Sequence, residues 1–286
     1  MNQNKRERLW QPYQQEMWTQ MWRKNPYTLQ EMVDDNRWVG VKYSPLLSYV
    51  LKYARKDERV LEAGCGMGQW VIYLAELGYK ITGLDFSLPT VKMIHKLYPD
   101  LDFVYGDVTD FEYPDCTFGA ILSWGVMEHF EAGPQKVLSE AYRILKHGGV
   151  LFVTVPCDHY LFRFSMPLLR LKRALGRTKL VRRFTGNPYN QTKFTEHRFT
   201  KRQFLNHTIA VGFRVAELHP VNPERGLAVW ARLMLSYHGR KGKTFEKSSS
   251  ERWEGLTLWG SLLSWALNTV SPWMTPDQIF IVVIKP

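Results

Sequence analysis

Cysteine is scarce: Cys65, Cys116 and Cys157 are the three in 286 residues. They are scattered and odd in number, so neither a disulfide framework nor a metal-ligand cluster is expected, and no metal is called for. A reducing, cytoplasmic setting is the simplest expectation. The start, Met1 to Arg8, is polar with no apolar run behind it, so no secretory signal is expected. Acid is missing from a long stretch. From His159 to Thr195 there are bases at 163, 170, 172, 173, 177, 179, 182, 183 and 193 and no Asp or Glu. That stretch carries most of the net charge of +11. It suits an anionic partner: phosphate, a membrane surface or nucleic acid. Charge of either sign is missing from Gly255 to Pro276, which holds Trp259, Trp265 and Trp273. Its length would allow a membrane span. Gly260, Ser261, Ser264, Asn268 and Thr269 argue against one, because they are small or polar and the chain must return at once to a strand. Helical segments packed on the body, or lying in a membrane interface, fit better.

What is present centres on Arg59-Val60-Leu61-Glu62-Ala63-Gly64-Cys65-Gly66-Met67-Gly68. An apolar run ends in an acid and three alternating glycines. Trp70 to Gly78 then reads as a helix closed by its final glycine. Strand, glycine turn and helix together bring backbone N–H groups against a ligand. A dinucleotide fingerprint would need glycine at 69, where Gln69 stands. Tyr79 to Ser87 is a strand ending in Asp85, about 20 residues beyond the turn, where a ribose-binding carboxylate is expected. Ser87, before Pro89, reads as the cap of the next helix. A third strand, Asp102 to Tyr105, leads into Gly106-Asp107-Val108. A fourth, Phe118 to Ser123, runs into Trp124-Gly125-Val126-Met127-Glu128-His129. A helix from Pro134 to His147, stopped by Gly148-Gly149, precedes a fully apolar fifth strand from Val150 to Val155. Strand–helix alternation of this kind predicts a doubly wound, mostly parallel sheet.

The pattern Glu62-x-Gly64-x-Gly66-x-Gly68 resembles motif I of the class I S-adenosylmethionine (SAM) dependent methyltransferases. Asp85, Gly106-Asp107 and the segment Ala141 to Gly149 match the same family in order, although His147 stands where proline is usual. The match covers Arg59 to Val155, in particular the small-molecule branch that includes the quinone-biosynthesis enzymes. It implies an α/β, Rossmann-like, seven-stranded sheet with an antiparallel last strand. It also implies SAM as cofactor, held by Glu62, Ala63, Gly64, Cys65, Gly66 and Gly68, by Asp85, Phe86 and Ser87, by Asp107 and Val108, and by Ser123, Trp124 and Gly125. His129, with Glu128, stands near the expected point of methyl transfer, and an imidazole has a suitable pKa for a base. Capping of the following helix is the plain alternative for this pair. Tyr43, Tyr160, Tyr189, Asn190 and His197 are candidate acceptor contacts.

Around this body, residues 1–57 read as an N-terminal helical lid and 58–286 as the methyltransferase domain. In the lid, Leu9, Tyr13, Met17 and Met21 share a helical stripe. Ser44-Pro45 opens a further helix to about Arg55. Residues 157–198 form a basic insert, followed by a capping box at Thr200 and Gln203 opening a helix to Val211. Phe213 to Leu218 and Ile279 to Ile284 are the last two strands. Residues 219–278 form a tryptophan-rich insert between them, and Gly239 to Lys243 in it reads as a loop. The expected partner is a small-molecule or lipid-like acceptor, anionic in keeping with the basic insert, with peripheral contact to the cytoplasmic face of a membrane. Solvated inserts that only cap the pocket remain open. So do two other classes of function: an RNA methyltransferase and a non-catalytic SAM-binding protein. Two motifs count against nucleic acid. Asn187-Pro188-Tyr189 looks like a nucleobase N-methylation motif and Pro156-Cys157 like a cytosine-methylation nucleophile, but each stands after the wrong strand.

Overall fold

The computed structural model describes residues 40–176, 194, 196–235 and 258–286, with isolated positions 16, 17, 20, 31 and 34. The stripe from Leu9 to Met21 and the loop at Gly239 thus lie essentially outside the described residues. A helix α1 (Leu47–Tyr53) precedes β1 (Arg59–Ala63), α2 (Gln69–Glu76), β2 (Lys80–Asp85), α3 (Leu88–Leu97) and β3 (Asp102–Tyr105). Then follow β4 (Phe118–Trp124), a short 3₁₀ turn (Met127–His129), α4 (Gln135–Ile144), β5 (Leu145–Pro156) and α5 (Tyr160–Gly176). Last come α6 (Lys201–Val211), β6 (Arg214–Val221), α7 (Pro223–Leu235), α8 (Leu258–Val270) and β7 (Gln278–Ile284).

The seven strands form one sheet in the order β3-β2-β1-β4-β5-β7-β6. β1 to β5 run parallel, and β7 lies antiparallel between β5 and β6. Chain order reverses at β1, which has β2 on one side and β4 on the other. In an open α/β sheet, ligands bind outside the carboxyl ends of the strands at such a switch.

The alternation of side chains along a strand divides the core into two layers. Val60, Ile81, Phe152 and Phe280 meet α1, α2 and α3 on one face. Leu61, Leu84, Leu151 and Ile281 meet α4 and α6 on the other. Both faces of β5 are therefore covered, as its apolar run requires. α6 opens with the expected capping box, Thr200 Oγ1 accepting from the Gln203 N–H, and stops at Gly212 with φ 109°. Ser87 caps α3.

Two boundaries differ from the sequence reading. The helix expected to run to His147 ends at Ile144, and β5 begins at Leu145 instead of Val150. Gly148 and Gly149 are therefore no helix stop. Their backbone is drawn into the sheet, Gly148 N–H donating to Lys285 O and Lys285 N–H to Gly149 O. Sheet pairing outweighs helix propensity there, and Arg143 is left as the basic residue of the last helical turn. β6 also continues beyond Leu218 to Val221, because His219, Pro220 and Val221 keep pairing with Phe280, Ile279 and Gln278. The second insert thus starts at Asn222.

Gly83 explains how closely α2 sits on the sheet. A Cβ there would meet Val71 at 2.8 Å, Phe103 at 2.9 Å and the Cys65 sulfur at 3.1 Å. Gly83→Ala is expected to destabilise the protein by about 1–3 kcal/mol through overpacking. Urea denaturation should show a lower midpoint at unchanged slope.

Candidate active site

The glycine turn is built by backbone bonds. The N–H groups of Gly64 and Cys65 both donate to Leu84 O, at 2.7 and 2.9 Å, which ties the end of β1 to the end of β2. Gly64, Gly66 and Gly68 have φ of 82°, 51° and 71°, a region that an L-residue enters at a cost. Space forbids a side chain as well: a Cβ on Gly64 would lie 2.5 Å from Val126, and one on Gly68 would lie 2.6 Å from Phe103.

Asp85 closes the turn. Its carboxylate accepts from Gly66 N–H at 2.9 Å and from Ser87 N–H at 2.8 Å. Burial pushes its pKa up, and those two N–H groups oppose the rise. Asp107, after β3, accepts from the N–H and hydroxyl of Thr109, both at 2.8 Å.

These elements surround a cavity of about 960 Å³ at the carboxyl ends of β1 to β4. Its wall includes Glu62, Gly64, Cys65, Gly66, Asp85, Phe86, Asp107, Val108, Trp124, Gly125 and His129. Ala63, Gly68, Ser87 and Ser123 stand behind it, Gly68 and Ser87 as helix caps. The wall also holds residues not singled out from sequence: Met67, Gln69, Trp70, Tyr105, Tyr113, Val126 and Phe130. For Gln69 and Trp70 a signal existed, since the first turn of a helix after a glycine loop faces the ligand.

Three buried polar atoms on this wall lack a hydrogen-bond partner: Glu62 Oε2, Gln69 Oε1 and Trp124 Nε1. Buried polar groups are normally satisfied. Burial drives the Glu62 carboxyl well above the usual range; the Val71 N–H opposes this and the Asp85 charge adds to it. A polar, partly charged ligand that brings its own donors and acceptors fits such a wall.

Glu128 is not on the wall. It is 3% exposed, and one of its carboxylate oxygens also lacks a partner. Burial raises its pKa to about 8, with its own backbone N–H opposing and Glu196 adding to the rise. Its backbone oxygen accepts from the His197 N–H at 2.8 Å, and the His197 ring lies 3.1 Å from Glu131 O. His197 therefore braces the loop behind the wall. Tyr43 is 71% exposed and away from the cavity. Tyr160 lines a second cavity of about 560 Å³ beside Cys157, His159 and Trp273. Tyr189 and Asn190 lie outside the described residues. No cluster of His, Cys, Asp or Glu among the described residues could hold a metal ion.

Residues 61–153 match a protein family described as a methyltransferase domain. Over this segment the chain is similar to methyltransferase domains. The domain shares 37% identity over 97 residues with the demethylmenaquinone methyltransferase of Renibacterium salmoninarum, covering 34% of this chain and 40% of that protein. With the eEF1A lysine and N-terminal methyltransferase of Mus musculus it shares 30% over 125 residues, 39% of this chain and 18% of that one. The chain spans about half the length, or less, of the curated relatives it matches first, 40–49%. In fold it resembles a SAM-dependent methyltransferase from Archaeoglobus fulgidus: TM-score 0.54, 14% identity, 89% of this chain and 99% of that one. SAM is the cofactor this likeness implies, and the unpartnered polar atoms of the cavity suit its charged amino-acid end.

Asp85→Ala should weaken SAM binding about a hundredfold, as expected for losing charge-assisted hydrogen bonds. Unchanged affinity by calorimetry would contradict the role of Asp85. A separate outcome concerns pH. Burial holds the Glu128 proton in the folded protein up to about pH 8, whereas the unfolded carboxyl releases it near its ordinary value of 4.5. Its contribution is therefore fully present below pH 4.5 and is lost as pH rises to about 8. Thermal melts of Glu128→Gln should show a flatter decline over that window than the parent protein.

Proposed function

We propose that this chain is a methyltransferase that moves the methyl group of SAM to a small-molecule, lipid-like acceptor. The observation that carries the reading is the set of three unpartnered polar atoms on one cavity wall at the switch point of the sheet. When bound, SAM supplies a methyl group already activated by its sulfonium. The chain's own residues then have limited work. Glu62 and Gln69 offer oxygens to an ammonium, and Trp124 Nε1–H offers a donor to a carboxylate. Asp85 accepts from ribose hydroxyls and Asp107 from an adenine amino group. Trp70 and Trp124, with ring centroids 5.0 Å apart, exclude water from one side of the cavity. His129, on the wall, takes the proton of a hydroxyl or amine acceptor as it is methylated. Glu128, buried behind it, acts on the loop and not on the acceptor.

Acceptor choice is assigned to the parts outside the matched segment: residues 1–57 as a lid, 157–198 and 219–278 as walls. Support comes from topology. α5 leaves the carboxyl end of β5, α7 follows the end of β6, and α8 leads into the start of β7 beside Pro156. All three meet the sheet at the edge where the cavity lies. The setting we assign is cytoplasmic, at the inner face of a membrane; no helix among the described residues is long and apolar enough to cross one. An anionic acceptor agrees with the basic insert.

Methyl-labelled SAM, incubated with the protein and fractionated cell extract, should label the lipid-soluble fraction. Label in RNA alone, or none anywhere, would overturn the proposal. Once the acceptor is in hand, His129→Ala should lower kcat by about 10²–10⁴-fold at unchanged SAM affinity. An undiminished kcat would remove His129 from the chemistry.

A further inference from the structure

α8 is inside out. Its outward arc carries Trp259, Leu262, Leu263, Trp265, Ala266 and Val270, with Trp259, Trp265 and Val270 exposed by 79%, 69% and 77%. Its inward side carries Ser264, 2% exposed, and Asn268, whose side-chain amide donates to Ser264 O at 2.7 Å and to Thr275 Oγ1 at 2.6 Å. A surface helix in water shows the opposite arrangement, with the apolar stripe inward. α5 repeats the pattern. Tyr160, Phe164 and Leu168 stand at successive fourth positions and all are exposed, while Ser165 is buried and accepts from Trp230 of α7 at 3.0 Å. An apolar surface of this kind marks contact with something apolar.

Charge says what that contact is. The sequences of α5, α7 and α8 hold six bases against one acid, Glu224; Arg163 and Arg225 pair with Asp158 and Asp277 at 4.0 and 3.0 Å, so the excess rests on Arg170, Lys172, Arg173 and Arg232. α8 itself has none of either sign. Apolar side chains rich in tryptophan, joined through α7 to the basic helix α5, match an acyl boundary beneath anionic headgroups. With 13 residues, α8 is about 20 Å long, too short to cross a bilayer. We infer that the outward faces of α5 and α8 dock this protein on an anionic lipid bilayer, the helices lying in the interface plane. The inference deepens the membrane setting assigned above and rests on that part of the proposed function; methyl transfer itself is tested separately, so the two failures are distinguishable.

The test is flotation of the full chain with vesicles of phosphatidylcholine alone or mixed with phosphatidylglycerol. The protein should float with the mixed vesicles, less so as salt is raised, and little with the neutral ones. Trp259→Glu combined with Leu263→Glu should cut partitioning by at least about tenfold. Both positions are exposed, so the variant should keep its SAM affinity, which serves as the folding control. A chain that stays at the bottom with both vesicle types overturns the inference. Equal flotation with neutral and anionic vesicles overturns its charge component. A dimer in light scattering that the double variant dissolves, without any vesicle binding, would assign the face to a second copy of the chain instead.

Discussion

One carboxylate holds the donor side of this protein together. Asp85 receives the N–H of Gly66 from across the turn and the N–H of Ser87 from its own strand end. With Leu84 O taking two further N–H groups from Gly64 and Cys65, the ends of β1 and β2 become one rigid rim. The price is three residues with positive φ, which glycine alone accepts easily. Part of the cavity wall is positioned from this rim. α2 starts on it and delivers Gln69 and Trp70. β4 runs alongside β1 and delivers Trp124 and Gly125.

Behind the rim, the buried carboxyls divide the labour. Glu62 faces the cavity with an unsatisfied oxygen, so a ligand can complete its bonding. Glu128 faces protein, and burial keeps it protonated at neutral pH. The same residue type, at the end of β1 and just after the neighbouring β4, thus faces a cavity in one place and a loop in the other. His129 shares the Glu128 turn but reaches the wall, because adjacent residues of a 3₁₀ turn point in different directions.

The half of the chain that follows β5 obeys a different logic. Its helices α5, α7 and α8 attach at one end of the sheet and turn polar groups inward, Ser165 of α5 accepting from Trp230 of α7 and Asn268 of α8 donating to Thr275. Such helices gain little from water on their outer side. The matched relatives share the segment around the cavity with this chain but are named for acceptors as different as a quinone precursor and a protein lysine.

Local chemistry made much of this legible in the sequence. Alternating glycines, an acid at the end of the second strand, a cap at Ser87 and a capping box at Thr200 each depend on neighbours within a few residues. So do the strands and the parallel character of β1 to β5, which follow from apolar runs separated by helical patterns. Long-range pairing was not legible. The early end of α4 at Ile144 is decided by Lys285, far away in sequence, and the extension of β6 to Val221 by its register with β7. The same holds for the site: only the fold shows that Glu128 lies behind the wall and His129 on it, or that Tyr43 faces solvent. The sequence by itself determined the donor turn and the sheet, because both are written in local backbone preference and apolar periodicity. Which polar atoms remain unpaired in the cavity, and which face of α8 points outward, only the tertiary structure decided, because burial is a property of neighbours that the chain brings together late.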